Sequence, residues 1–550
     1  MKIGIDLDNT LVDYEAAFLA AAESLQVVLE PPIRSKSQIR EFLRSQPDGE
    51  VTWQRLQGLA YGRCVHVHAR LYPGVKRFLW RCRQQGHNVV VISHKTEHGH
   101  GDVEKVPLRK VASEFLAAQG LTGTPDAFIQ EVIFENSYEE KIACIEKQSL
   151  DWFIDDLSEV ILDLGGIGGL KTIRFYPAAH QAPRNSTDKR SVKSLSDWQQ
   201  IDALINGEWT HPEIIQLSRQ LMKFDAARIE KLSAGGNAGV YKLTLPEDRS
   251  VKLKIYPVDP NHDRLFSELT ATKGLSGPGR QYVSRPLAQD VELGIGVYEW
   301  IEGDPVKAPG NNDLESSLEF LGSLHALRNS PQFVDAPLAS AACFSGRDIE
   351  MQIKHRLRQF ELPRMRDAEL DRFLAGAFLP TFGELVIWAR DHWPKDVAFD
   401  SPLSRAQQTL SPSDFGFHNA IRRPDGSLAF SDFEYFGWDD PVKLMSDFNF
   451  HPGMSLSDEQ KAFWLKRALK IYGEHLSERL KVCLPLYGMI WCLILLNDFR
   501  PEIWQRRLLA DDSKRAIKQD TRNRQLARAQ TLLEEIRLKY ADAFAEIRHQ

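Results

Sequence analysis

The sequence predicts an α/β protein in two parts. The first is a Rossmann-like parallel sheet wrapped by helices, with a small helical cap. The second is a bilobal α+β domain whose C-terminal lobe is mostly helical. Three observations carry this. Short apolar runs alternate with helical segments through about the first two hundred residues. The first run, Ile3-Gly4-Ile5, leads into Asp6-Leu7-Asp8-Asn9-Thr10, with two carboxylates at one strand end. Past a short linker, strand-like runs flank a glycine-rich turn, and helical sequence then dominates.

At 550 residues the chain exceeds one ordinary core, so two or three domains are expected. Its 43% hydrophobic and 26% charged residues are those of a soluble globular protein, and a net charge of −6 gives no general attraction to nucleic acid or an anionic membrane. Cys64, Cys82, Cys144, Cys343, Cys483 and Cys492 are scattered, without a Cys-x-x-Cys pair, and read as reduced, mostly buried thiols of a cytoplasmic protein. The start of the chain reads as a strand, not a secretion signal. The longest apolar stretch, Leu484 to Leu496, is too short to span a bilayer and reads as a buried helix, so no membrane partner is expected.

The first part covers residues 1–206. Strand alternation turns Asp6 and Asp8 to one side at the carboxyl end of the first strand, where an open parallel sheet places its ligand site. A helix is expected from about Tyr14 to Leu29, stopped by Pro31-Pro32. Helix-like sequence continues to about Leu71, making residues 14–71 a cap insertion. Strands recur at Asn88–Ile92, Val132–Phe134, Trp152–Ile154 and Thr172–Phe175, and a helix over Trp198–Ile205 closes the unit.

The polar residues ending these strands suggest the chemistry. One run leads into Ser93-His94-Lys95-Thr96 and another into Asp155-Asp156. Crowded carboxylates repel unless a cation joins them, and Mg²⁺ is the oxygen-seeking candidate. A hydroxyl donates to a phosphate oxygen, a lysine balances charge, and a third acid completes the metal shell. His94, His98 and His100 match no standard metal spacing and read as a polar, substrate-facing loop. His66 and His68 read as one side of an extended stretch, without a chemical role.

Through these motifs the segment resembles the haloacid dehalogenase (HAD) superfamily of phosphohydrolases. The resemblance implies that Asp6 is the nucleophile that becomes an aspartyl-phosphate and that Asp8 is the general acid/base. Ser93 matches the phosphate-binding hydroxyl. Asp156 matches the acidic metal ligand, with Asp155 beside it, and Asp6 and Asp8, the latter through its backbone carbonyl, complete the Mg²⁺ site. The family's lysine falls on Lys141, with Lys95 as a competitor.

Asn206-Gly207-Glu208, with Pro212 soon after, marks residues 207–215 as a linker to a second part, 216–550, with an N-lobe at about 216–303 and a C-lobe at about 304–550. The turn Ser233-Ala234-Gly235-Gly236-Asn237-Ala238-Gly239 would let backbone N–H groups approach phosphate, with Gly236 and Gly239 as contacts. Val251–Tyr256 reads as a strand. Lys254, in more apolar company than Lys252, pairs there with Glu268 on the following helix, an arrangement that holds ATP phosphates in a kinase-type lobe. Val297–Gly303 reads as a strand entering an adenine-binding hinge at Glu299 and Ile301, and Leu318–Leu327 as a helix carrying His325. In Ser411-Pro412-Ser413-Asp414-Phe415-Gly416-Phe417-His418-Asn419, an Asp is followed five residues on by Asn, and Asp432 ends the next hairpin. In this kinase layout Asp414 positions or deprotonates an acceptor hydroxyl, while Asn419 and Asp432 hold Mg²⁺ on the nucleotide. The helical stretch Arg506–Arg537 is mildly basic, but its interspersed acids favour a solvated face over an RNA site.

This second part resembles the aminoglycoside phosphotransferase and choline kinase-like family, in the hinge, the Asp414 loop, and Asp432-Phe433-Glu434-Tyr435 through Asp439-Asp440-Pro441. Asp447 matches a position that supports the catalytic loop in that family. Pro412-Ser413 stand where the family has His-Gly, and Ala234 replaces the first loop glycine. Together the halves predict a bifunctional, Mg²⁺-dependent phosphatase-kinase that uses ATP. Its partners would be a small phosphoester and a hydroxyl acceptor such as a sugar, polyol or amino alcohol, with an associational hint of bacterial surface-polysaccharide metabolism. The alternatives are opposed activities on RNA or protein, or an active phosphatase carrying a nucleotide-sensing pseudokinase.

Overall fold

Hydrophobic strands buried on both faces set the architecture of the first unit. The computed structural model describes all residues except 30–32, 34, 100–101, 103, 178–192, 233–237, 260, 278, 361–366, 502, 505–517 and 541–550. The chain divides into two units, Met1–Leu217 and Ser218–Gln550, each a mixture of helix and strand.

In the first unit the strands are β1 (Lys2–Ile5), β2 (Val12–Asp13), β3 (Arg70–Leu71), β4 (Asn88–His94), β5 (Glu131–Glu135), β6 (Trp152–Asp155), β7 (Lys171–Phe175) and β8 (Lys193–Leu195). Six of them form one parallel sheet in the order β5-β4-β1-β6-β7-β8. Ile3, Ile5, Val89, Val91 and Ile154 join one apolar cluster, while Val90, Ile92 and Phe153 join another. Helices cover both faces, which is why these strands read as unbroken apolar runs. β8 escaped the sequence reading because its three residues carry no apolar run.

β2 pairs antiparallel with β3, Val12 opposite Leu71, so the insertion that follows β1 starts and ends at one point. Between them lie helices Glu15–Ser24, Lys36–Arg44, Gly49–Tyr61 and Val65–His68. The first helix stops five residues before the expected Leu29, and His66 and His68 lie on a short helix, not in an extended stretch. Phe18 stacks on Trp53 at 5.3 Å and meets the Tyr61 ring edge-on, which fixes the cap's inner helices.

The stretch read as a linker is structured. Helix His211–Met222 begins within it, and Ile214 and Leu217 are buried. Arg81, 1% exposed, anchors the segment: its Nη1 donates to Asp202 Oδ2 (3.0 Å), its Nε to Glu213 Oε1 (2.9 Å) and its Nη2 to the Glu208 carbonyl (2.9 Å). Its guanidinium lies 4.5 Å from the centre of the Trp209 ring. Removing one partner of a buried ion network leaves uncompensated charge, so Arg81→Met should destabilise the first unit by about 3–5 kcal/mol. Chemical denaturation followed by tryptophan fluorescence checks this. Arg81→Lys should not restore the loss, because an ammonium lacks the guanidinium's fork of donors.

The second unit opens with β9 (Arg228–Leu232), β10 (Gly239–Thr244), β11 (Ser250–Ile255), β12 (Pro286–Asp290) and β13 (Ile295–Glu299), an antiparallel sheet in the order β12-β13-β11-β10-β9. Helix Arg264–Gly274 falls between β11 and β12. Gly303, at φ +148°, reverses the chain after the sheet where a Cβ would strike the Arg422 carbonyl. Beyond it the unit is helical around a large apolar cluster, with the short strands β14 (Asp304–Pro305), β15 (Thr409–Ser411), β16 (Ala420–Arg422), β17 (Leu428–Phe430) and β18 (Gly437–Asp439) carrying the acidic motifs. All of Leu484–Leu496 but its last residue falls within helix Ser477–Leu495, which is largely buried in this core. Among the described residues two helical segments, Ala368–Asp391 and Glu474–Phe499, are long and apolar enough to cross a membrane, and the second is 78% buried within the protein. The six cysteines are unpaired, and all but Cys144 are buried.

Candidate active sites

Adjacent parallel strands bring the first site together. Asp6 follows β1 directly, its N–H donating to the Ile154 carbonyl (2.9 Å), and Asp155 is the last residue of β6. Ser137 caps helix Tyr138–Lys147 and so sets Lys141 in its first turn, where Nζ lies 2.7 Å from Asp6 Oδ1 and 2.6 Å from Asp155 Oδ2. Lys95, just past β4, instead holds Asp8 (2.7 Å to Oδ2). The two lysines left as competitors by the sequence therefore both enter the site, with different partners. Ser93 is buried in β4, and the register Ile5–Val91 sets it level with the residues just past β1.

Asp6, Asp155 and Asp156 each offer an oxygen within 4.8 Å of the others. Burial raises the Asp6 carboxyl above its ordinary range despite Lys141. Burial and the Asp6 charge push Asp155 up to about 7, and burial with both neighbouring acids pushes Asp156 well up. Burial would lower Lys141, yet Asp6 and Asp155 hold it above the usual lysine range. Three crowded carboxylates against one ammonium fit an oxygen-seeking divalent cation. The Asp8 side chain is engaged by Lys95 and is not part of this carboxylate cluster, whereas the expected Asp8 ligand atom is its backbone carbonyl.

The cap supplies groups the sequence reading did not single out. Lys36 Nζ donates to Tyr61 Oη (2.8 Å), and the Tyr61 ring lies 4.6 Å from Lys95 Nζ. The histidine-rich segment does not converge: His94 Nε2 is 3.1 Å from the Asn136 carbonyl, His98 Nδ1 is 3.3 Å from the Val106 carbonyl, and His100 lies outside the described residues.

In the second unit Lys254 is again a bridge. Its Nζ lies 2.6 Å from Glu268 Oε2 and 2.5 Å from Asp432 Oδ1, with Glu434 Oε2 at 3.3 Å. Burial would lower it, but Asp432, Glu268 and Glu434 hold it well above the ordinary range. Tyr256 Oη donates to Glu268 (2.6 Å), and Arg264 pairs with Glu434 (2.7 Å); none of Tyr256, Arg264 or Glu434 was assigned from sequence. Gly236 lies outside the described residues; Gly239 opens β10, Glu299 ends β13 and Ile301 follows it.

Asn419 Nδ2 donates to the Asp414 carbonyl (3.0 Å), a contact that does not use its side-chain oxygen. Ser413 (φ +67°) and Asp432 (φ +70°), like Asn9 (φ +59°) in the first site, hold left-handed backbone. Such strain at non-glycine residues concentrates at functional positions. His418 Nε2 lies 3.1 Å and His451 Nε2 3.5 Å from Asp414 Oδ1, with the two rings stacked at 3.8 Å. The Gly453 N–H donates to His451 Nδ1 (3.1 Å), which leaves the proton on Nε2, facing the carboxylate. That tautomer suits holding Asp414 rather than a transition metal. Burial would raise Asp414, but the His418 hydrogen bond and the two imidazoles hold it below its ordinary range. Asp447, read as a support of this loop, gives its carboxylate to Lys443 (2.9 Å) and Trp491 (2.9 Å); the Trp491 ring in turn meets His451 edge-on at 5.0 Å.

No protein-family model and no curated protein matches the chain. Solved structures do. An aminoglycoside phosphotransferase bound to gentamicin is 15% identical, with 59% of this chain and 96% of that one covered at a TM-score of 0.40. A spectinomycin phosphotransferase in complex with ADP and spectinomycin is 14% identical, with 58% and 97% covered at 0.41. A choline kinase from Streptococcus pneumoniae is 16% identical, with 58% and 98% covered at 0.37. At these values the likeness assigns neither substrate nor residue roles to this chain.

Proposed function

We propose that the chain handles phosphoryl groups at two sites: a HAD-like phosphohydrolase in the first unit and a kinase-like phosphotransferase, of the aminoglycoside phosphotransferase and choline kinase type, in the second. One repeated device carries the reading. Each unit holds a buried lysine between two carboxylates from different elements, Lys141 between Asp6 and Asp155, and Lys254 between Glu268 and Asp432. Such a lysine neutralises acids that crowd a phosphate site and is itself placed to meet phosphate oxygens.

In the first site Asp6 attacks the phosphorus of a phosphomonoester, forming an aspartyl-phosphate as the ester P–O bond breaks, and Asp8 protonates the departing oxygen. Asp8 then takes a proton from water, whose oxygen attacks the phosphorus, so that the Asp6–phosphorus bond breaks, inorganic phosphate is released and the Asp6 carboxylate is restored. Lys95 and Lys141 hold the two carboxylates apart in orientation, and the cap residues Lys36 and Tyr61 shield this chemistry from bulk water. In the second site Asp414 orients the acceptor hydroxyl and takes its proton while Lys254 holds the donor phosphates. A divalent cation, held by Asp6, Asp155 and Asp156 in one site and by Asn419 and Asp432 in the other, would supply charge neutralisation at the phosphate oxygens. The acceptor expected is a small alcohol such as a sugar, polyol or amino alcohol, so the two activities would act on one small-molecule route.

A panel of small phosphomonoesters, and of alcohols supplied with nucleoside triphosphate, tests this. Phosphate release and phosphorylated product should both appear with Mg²⁺, disappear on chelation with EDTA and return with added Mg²⁺. Hydrolysis that persists under chelation sinks the three-carboxylate site, and a panel without turnover in Mg²⁺ sinks the proposal.

A further inference from the structure

The sheet of the second unit turns an unusual row of side chains toward the Lys254 site. Cross-strand partners share a face, and the register sets Lys242 opposite Lys252 and Lys252 opposite Tyr298. Lys254 lies two residues along β11 from Lys252, on the same face, and its contact with Asp432 identifies that face as the one lining the site. Moving from Lys254 to Lys252 along β11 runs toward the Glu299 end of β13, where the chain enters the Trp300-Ile301 segment. With phosphates at Lys254 and Asp432, the base of a donor nucleotide lies along this row with an edge toward Lys252 and Lys242.

Among the described residues neither ammonium group there has an acidic hydrogen-bond or ion-pair partner. Lys252 Nζ lies 5.3 Å from the centre of the Tyr298 ring and Lys242 Nζ 4.4 Å from that of Trp300. Neither makes a hydrogen bond or ion pair among the described residues. Like charges directly opposite each other on a sheet are destabilising. Burial pulls Lys252 below the ordinary lysine range, only partly offset by Glu268. An arrangement this unfavourable in the free protein is relieved by a ligand whose facing edge is rich in acceptors.

Resting on the nucleotide-dependent reading of this unit, we infer that the row Lys242–Lys252 reads the base of the phosphoryl donor and selects a 6-oxopurine, so that the donor is GTP in preference to ATP. Lysine only donates hydrogen bonds. Guanine offers O6 and N7, two adjacent acceptors that match an ammonium, whereas adenine puts its N6 amino donor at the O6 position.

Calorimetric titration of the full-length protein with the imido analogues of GTP and ATP, in Mg²⁺, tests this. The GTP analogue should bind about tenfold or more tightly than the ATP analogue. Lys252→Met keeps the stem and removes the ammonium; it should weaken the GTP analogue about tenfold and leave the ATP analogue unchanged or tighter. Equal affinities in the native protein, or a preference for ATP, overturn the base-reading role while leaving a nucleotide site intact. Binding of neither analogue overturns the nucleotide reading itself, and this inference with it. The comparison in the native protein stands even if the variant fails to fold.

Discussion

Asp6→Asn should lower phosphomonoester hydrolysis by about a thousandfold or more, because it removes the proposed nucleophile and keeps its shape. Nucleoside-triphosphate-dependent transfer should be unchanged, since Asp414, Asn419 and Asp432 belong to the other unit. The variant should also fold at least as well as the native chain. Asp6 is buried beside Asp155 and Asp156, and its raised carboxyl shows that the folded state disfavours its charge. A neutral amide relieves that repulsion, while Lys141 keeps Asp155 as its partner at 2.6 Å. Hydrolysis followed by phosphate release, beside a thermal melt of each protein, separates the two effects. An Asp6→Asn protein that hydrolyses at the native rate would assign the nucleophile elsewhere. A protein that loses activity together with its melting transition would make Asp6 a structural residue.

Much of this arrangement is legible from the chain because its signals are local. Asp6 and Asp8 are two apart on a strand end, Asp155 ends the next strand in the sheet, and Lys254 alternates with Lys252 along β11. What sequence left open depends on which helix packs where. Lys141 and Lys95 stand on different elements, and only the tertiary placement of helix Tyr138–Lys147 gives one lysine to Asp6 and the other to Asp8. The same holds for Lys36 and Tyr61, which lie 25 residues apart on separate cap helices. The first turn of helix His211–Met222 reads as linker because Gly207 and Pro212 dominate the local signal. Its order comes from a long-range partner, Arg81, which no window around residue 211 contains. His451 likewise reaches Asp414 from a helix end 37 residues away in sequence, and nothing in its neighbours marks it.

The corresponding change in the second unit is Asp414→Asn, for which a loss of about 10²–10⁴ in the rate of transfer is expected, the range for removing a positioned general base. The donor should bind as before, because the proposed phosphate holder is Lys254, whose partners are Glu268 and Asp432. The signature is therefore a fall in kcat with the KM for nucleotide held, measured by product formation with the best acceptor of the panel, and native hydrolysis of phosphomonoesters. The substitution is conservative in shape. His451 keeps the proton on Nε2, because the Gly453 N–H occupies Nδ1, so it can still donate to the amide oxygen that replaces Asp414 Oδ1. What is lost is the negative charge that His418 and His451 hold below the usual carboxylate range, poised as a weak base whose value lies in position rather than strength. If Asp414→Asn transfers at the native rate, the acceptor proton leaves by another route and the kinase-type assignment of this loop fails. If instead the native protein binds nucleotide and turns over no acceptor, the pair of imidazoles is holding a carboxylate without a hydroxyl to serve, and the unit senses nucleotide without transferring its phosphate.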